Sequence, residues 1–196
     1  MLTERRAHAG AEETRARILA ATRDLYEARG TRGTTTREVA ERAGVNEATL
    51  FRHFGSKASL LDAMREETCG VTEFRDLLGQ LSGADLTADL RAVAQAAVAH
   101  MTSKRAMMCV TLAEEASGTL DAPEWRGPTF IITGFAEYLE RHVAAGVLRG
   151  DPLFLARMFL GTLFSYVVGR KLWDSEILDP AVADRIVDVF VNGART

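Results

Sequence analysis

Few side chains in this sequence are spaced for covalent chemistry. Ser117 and Ser165 have no identifiable base, no two carboxylates stand out as an acid and base, and His100 sits in no metal-ligand spacing. Cys69 and Cys109 lie far apart without a CxxC, which excludes a disulfide framework or a zinc site and reads as two buried small hydrophobes. Gly30, Gly33 and the following threonines lack the preceding strand and the Gly-Lys-Ser/Thr ending that a phosphate-binding loop needs. The expectation is a protein without catalysis, without a metal and without a cofactor.

The residues do suit recognition. Thr35-Thr36-Arg37-Glu38 has the capping-box pattern, with the Thr35 hydroxyl and the Glu38 carboxylate each expected on an orphan backbone donor of a helix running to about Ala43. Gly44 and Val45 then turn the chain, and Asn46 caps a short helix through about Phe54. Two short helices around Ala43-Gly44-Val45-Asn46 have the spacing of a helix-turn-helix, which lays its second helix in the major groove. Ala40 is small where the helices cross, and Val39, Val45 and Leu50 supply a miniature core.

The elements that must hold this motif are helical as well. Ile18, Ala21, Leu25 and Ala28 recur at helical spacing from about Ala11 to Arg29, where Gly30 supplies a stop. Ser56 caps a longer helix carrying Leu60, Leu61 and Met64 towards Leu78, and residues 79–85 read as a loop. Further helices are expected at about Leu86–Thr102, Lys104–Ser117, Glu124–Ala145, Pro152–Trp173 and Pro180–Asn192. Pro123, Pro152 and Pro180 suit first turns, and Gly118 and Gly146 suit helix ends. The expected fold is all-α with about nine helices: a three-helix DNA-binding domain at 1–58 and a helical bundle at 59–196.

Composition agrees. With 47% hydrophobic and 26% charged residues over 196, the chain can build a soluble core and is a poor fit to disorder or fibrous repeats. No apolar run approaches the roughly 20 residues that span a bilayer, and the charged start lacks a signal-peptide core, so a cytoplasmic protein without membrane contact is expected. The net charge of −3 hides an asymmetry: residues 1–60 hold 11 Lys+Arg against 8 Asp+Glu, and the remainder is acidic. A polyanion would dock on the basic part.

The string from Thr35 to Lys57, above all Leu50-Phe51-Arg52-His53-Phe54 followed by Lys57, resembles the DNA-binding signature of the TetR family, with the likeness extending from about Thr14 to Met64. The resemblance implies a transcriptional regulator and assigns contacts. Thr36, Thr49, His53 and Lys57 look like phosphate contacts, whereas Arg37, Asn46, Glu47, Ala48 and Arg52 look like the residues nearest base edges. Phe51 departs from the family's usual tyrosine and removes a phenolic hydrogen bond to phosphate.

By the same resemblance the remainder is a ligand-binding and dimerisation bundle. The helix from Pro152 to Trp173 is apolar nearly all round and must be covered on most sides, and the last helix carries Val182, Ile186, Val189 and Phe190 on one stripe. These last two long helices are expected to form a homodimer interface, so the partner is double-stranded DNA with a palindromic operator. Candidate pocket residues for a largely apolar small-molecule effector are His100, Met101, Met107, Met108, Trp125, Phe130, Phe135, Phe159 and Phe164, with Thr111, Glu114 and Glu115 as further polar contacts. The implied function is a ligand-responsive repressor; an activator, or a helical small-molecule binding protein with a non-functional DNA head, remains an alternative.

Overall fold

The computed structural model describes residues 2–120, 125–173, 179 and 181–194, with backbone only at 2–8, 172 and 173. The described residues are all-α: α1 (Leu2–Gly33), α2 (Thr36–Ala43), α3 (Glu47–Phe54), α4 (Lys57–Cys69), α5 (Val71–Gln80), α6 (Leu86–Ser103), α7 (Arg105–Ala116), α8 (Gly127–Ala144), α9 (Pro152–Val168) and α10 (Val182–Ala194), plus a 3-10 turn at Arg170–Trp173.

The all-α expectation holds, with ten α-helices among the described residues instead of nine. The extra one arises at Gly70, whose left-handed φ of 73° breaks the expected run from Ser56 to Leu78 into α4 and α5. The first helix starts at Leu2, well before Ala11, and passes a non-helical Gly30 (φ 66°, ψ −171°) to end at Gly33. Asp151 caps α9 by accepting from the Phe154 N–H at 2.7 Å with Pro152 in the first turn, and α8 likewise begins with a proline, Pro128. The first-turn roles of Pro123 and Pro180 and the helix start at Glu124 lie outside the described residues.

The chain forms two compact units, neither continuous in sequence. The first comprises Met1–Thr68 with Ala106–Trp125, so it runs past residue 58 through α4 and takes in α7. Its core joins Ile18, Leu25 and Tyr26 of α1, Val39 and Ala40 of α2, Leu50 and Phe54 of α3, Leu60, Leu61 and Met64 of α4, and Met107 of α7. Burying that apolar area drives the packing, since α2 and α3, eight residues each, are too short to be stable alone.

The second unit comprises Cys69–Arg105 with Arg126–Thr196. Its core is aromatic: Phe135 stacks on Tyr138 at 6.1 Å and tilts against Phe159 at 5.4 Å, and Phe159 meets Phe190 edge-on at 5.0 Å. Leu90 and Val93 of α6 and Leu160 and Leu163 of α9 close around them. A buried Tyr138 hydroxyl donates to Asp89 at 2.8 Å, and desolvation followed by the Asp89 carboxylate raises the phenol's pKa.

Two apolar helix surfaces are only partly covered within the single chain. On α9, Leu155, Phe159, Leu160, Leu163 and Val167 are buried, but Phe154, Met158 and Tyr166 are 63%, 42% and 52% exposed. On α10, Val182 and Phe190 are buried whereas Val189 is 74% exposed, so the stripe is only partly covered within the single chain.

Candidate nucleic-acid interface and ligand cavity

The first unit positions its exposed residues through two caps and one turn. Thr35 Oγ1 accepts from the Glu38 N–H at 3.2 Å to start α2. The Glu38 carboxylate does not reach back to the backbone as a capping box requires; it accepts from the Thr35 hydroxyl and from Arg29, each at 3.0 Å. Those two partners, Thr35 first, hold its pKa below the ordinary value.

Gly44 closes α2 in the left-handed conformation (φ 68°, ψ 37°), and Val45 N–H reaches back to the Ala40 carbonyl at 3.0 Å. Asn46 Oδ1 accepts from Thr49 N–H at 2.8 Å and starts α3. Ala40 is 2% exposed and Leu50 fully buried at the crossing, as small and apolar residues at a helix-turn-helix core must be.

This framework leaves Arg37, Asn46, Glu47, Ala48, Phe51 and Arg52 exposed, with Thr36, Thr49, His53 and Lys57 half-buried beside them. Four are partly engaged within the chain: Asn46, Glu47, Thr36 and Lys57. Asn46 spends its side-chain oxygen on the cap, which leaves its NH2 donors. Glu47 accepts from the Thr36 hydroxyl at 2.7 Å, so the starts of α2 and α3 are tied together. Lys57 donates to the Thr31 carbonyl at 2.7 Å, leaving two of its three donors. Arg15, not singled out in the sequence, lies 4.8 Å over the Phe54 ring and braces the end of α3.

The second unit contains a cavity of about 340 Å³ whose wall is mostly apolar. Phe74 and Leu77 of α5, Ala97, His100 and Met101 of α6, Ile131 and Ile132 of α8, and Leu160, Gly161 and Phe164 of α9 surround it, with Glu73 and Arg157 also on the lining. The size is that of a site for a small organic molecule. His100 packs so closely on Gly70 that a Cβ there would meet its Cε1 at 2.6 Å. Cys69 also lines the cavity, and burial pushes its thiol up to about 11, which keeps it an unreactive neutral group.

Of the nine residues expected at a pocket, His100, Met101 and Phe164 line this cavity. Phe135 and Phe159 are fully packed in the core of the same unit, and Phe130 is 58% exposed on α8. Met107, Met108 and Trp125 fall in the first unit. So do Thr111 and Glu114: both bond to Tyr26, at 3.1 and 2.8 Å, and neither lines the cavity. Sequence reading missed Phe74, Ile131, Ile132, Leu160 and Arg157, since the space is left by Ala96, Ala97 and Gly161 on facing helices and that facing is a tertiary fact. Among the described residues no group of three or more His, Cys, Asp or Glu side chains is placed to hold a metal ion, and no helix is long and apolar enough to cross a membrane.

Residues 18–64 match the family model of bacterial regulatory proteins, tetR family. Over 190 residues, 92% of this chain and 96% of the relative, the sequence is 27% identical to the HTH-type transcriptional regulator YvkB of Bacillus subtilis. Over 55 residues, 28% of this chain and 29% of the relative, it is 46% identical to the HTH-type transcriptional repressor Rv3405c of Mycobacterium tuberculosis. The fold is shared with SmeT in its triclosan complex, at a TM-score of 0.74 over 93% of this chain and 92% of that one, with 23% identity.

Proposed function

We propose that this chain, whose residues 18–64 match the family model of bacterial regulatory proteins, tetR family, is a DNA-binding transcriptional regulator and a ligand-responsive repressor. In this reading it binds an inverted-repeat operator as a homodimer and leaves it when a small, largely apolar molecule occupies the cavity. The observation that carries the DNA half is the exposed row of Arg37, Asn46, Glu47, Ala48 and Arg52 on a rigidly capped α2–α3 pair. Arg37 and Arg52 suit paired hydrogen bonds to guanine, Ala48 suits a thymine methyl, and Thr36, Thr49, His53, Lys57 and the Phe51 ring set the register on phosphate.

One recognition helix reads only a few base pairs, so a palindrome read by two copies is the economical solution. The uncovered apolar side chains of α9 and α10, Phe154, Met158, Tyr166 and Val189, supply the kind of surface that a second copy would cover. Repression is supported by the name of the mycobacterial relative.

The effector half rests on the cavity, and SmeT, a protein of the same fold, binds triclosan. Chain connectivity supplies a route: α4 of the head is joined through Gly70 alone to α5, which carries Glu73, Phe74 and Leu77 of the cavity wall. A ligand acts only through its different affinity for the DNA-competent and DNA-free arrangements, a coupling of about 1 to 3 kcal/mol in typical cases.

The test is selection of duplexes from a random DNA pool by wild type, Arg37→Ala and Arg52→Ala. The expected result is an enriched inverted repeat weakened by either substitution and released by a compound that fails to release the Phe164→Ala variant. No enrichment at low salt would instead leave a helical binding protein with a silent head.

A further inference from the structure

Glu114, near the end of α7, belongs to no DNA-facing surface, yet it grips the turn that leads into the helix-turn-helix. Its carboxylate accepts from the Thr31 N–H, from the Thr31 hydroxyl at 3.0 Å and from the Tyr26 hydroxyl at 2.8 Å. Arg65 of α4, with no exposed side-chain surface, brings one guanidinium nitrogen to 3.9 Å from the Glu114 carboxylate and 3.3 Å from the Thr31 hydroxyl. Its other terminal nitrogen pairs with Asp62 at 3.0 Å, and its guanidinium lies 5.3 Å over the Tyr26 ring. The Thr31 carbonyl accepts from Lys57 at 2.7 Å.

All three polar groups of Thr31 are therefore bound by residues distant in sequence: the N–H by Glu114, the hydroxyl by Glu114 and Arg65, the carbonyl by Lys57. The preceding residue makes the grip possible. A Cβ on Gly30 would come within 2.8 Å of Glu114 Oε1, and its φ of 66° is one that L side chains rarely adopt. Thr34 ties the same turn by donating to the Gly30 carbonyl at 2.8 Å, and Thr35 follows as the cap of α2.

A buried ion network of this kind adds little net stability beside a well-packed apolar core, because desolvation offsets most of its Coulomb energy. What it does impose is a fixed geometry, here at the kink of α1 around Gly30, just before the DNA-facing pair. We propose that Glu114 is a positioning residue for DNA binding: acting through Thr31, it sets the angle at which α2 and α3 present Arg37 and Arg52. The proposal rests on the reading of α2–α3 as the DNA reader.

The experiment compares wild type with Glu114→Ala and Glu114→Gln, the latter keeping an acceptor for Thr31 while losing the charge facing Arg65. Binding is measured on the duplex that wild type enriches and on a random-sequence duplex, at a temperature where circular dichroism shows each variant folded. Loss of hydrogen bonds to a charged group predicts about a tenfold loss on the enriched duplex for Glu114→Ala, with Glu114→Gln in between. The phosphate-driven affinity for random duplex changes by less than about twofold. Amide exchange at 31–36 accelerates in parallel.

Equal losses on both duplexes that track lost thermal stability would reduce Glu114 to a structural role, and unchanged binding with unchanged exchange would overturn the proposal outright. Should wild type enrich no duplex, the DNA reading itself falls and the proposal with it, a result distinct from either variant outcome.

Discussion

The two compact units solve helix packing differently. The head surrounds a buried cation, Arg65, with Asp62, Glu114, Tyr26 and Thr31, whereas the second unit packs Phe135, Tyr138, Phe159 and Phe190 against one another beside a buried tyrosine–aspartate bond. The buried ion network adds directional hydrogen bonds to the head's apolar core, whereas the aromatic cluster buries large area in preferred ring geometries. That difference fits the proposed role of the head in holding one geometry on DNA.

The comparison can be strained hardest at Phe159, 1% exposed and in contact with two other rings. Phe159→Ala should lower unfolding stability by about 3–5 kcal/mol in urea titrations, since the cavity adds to the lost transfer energy. A loss below about 1 kcal/mol would mean that the aromatic cluster collapses freely and is no more than filler.

Ala40→Leu tests the head in the same currency. The crossing of α2 and α3 leaves Ala40 2% exposed, so added methylenes should cost about 1–3 kcal/mol and abolish enrichment of a DNA site. Retained DNA binding with retained stability would show that the crossing is looser than its burial implies.

What was legible in the sequence follows from range. The caps at Thr35, Asn46 and Ser56 and the turn at Gly44 are short-range bargains between a side chain and the next few amides, and each stands where its residue type and spacing place it. Long-range pairings were not legible: Glu114 meets Thr31 and Tyr26 across more than eighty residues of chain, and nothing local marks it off from an ordinary solvated carboxylate. The candidate pocket suffered likewise. Aromatic and thioether content suggested nine residues, but core and cavity wall have the same composition, and only helix facing separates Phe135 from Phe164. Gly70 was read through as helix because a single glycine is a weak break signal beside a continuing apolar period.

The two buried tyrosines sharpen the contrast through pH. Desolvation raises the pKa of both Tyr26 and Tyr138, and their carboxylate partners push the same way. A raised folded-state pKa means a contribution that is complete below the ordinary tyrosine value of about 10 and lost as pH climbs towards the folded one. Tyr138→Phe should therefore flatten the alkaline loss of stability of the second unit, at a neutral-pH cost of about 1 kcal/mol for the missing bond to Asp89. A variant that loses stability in alkali as steeply as wild type would assign that loss to other groups.

The smallest effect is expected on the DNA face itself. Phe51, 42% exposed on α3, stands where the resembled family usually has tyrosine. Phe51→Tyr adds one hydroxyl at a position proposed to face phosphate, which should strengthen binding by about 1 kcal/mol or less with no change in which sequence is enriched. The salt dependence should stay as it was, because no charge is added. Tighter binding at an unchanged sequence preference would place the ring beside the DNA backbone, in line with a head that positions through phosphate and specifies through Arg37 and Arg52. Weaker binding would mean that the bare ring makes an apolar contact which a hydroxyl disturbs, and would move residue 51 from the positioning set to the specifying one.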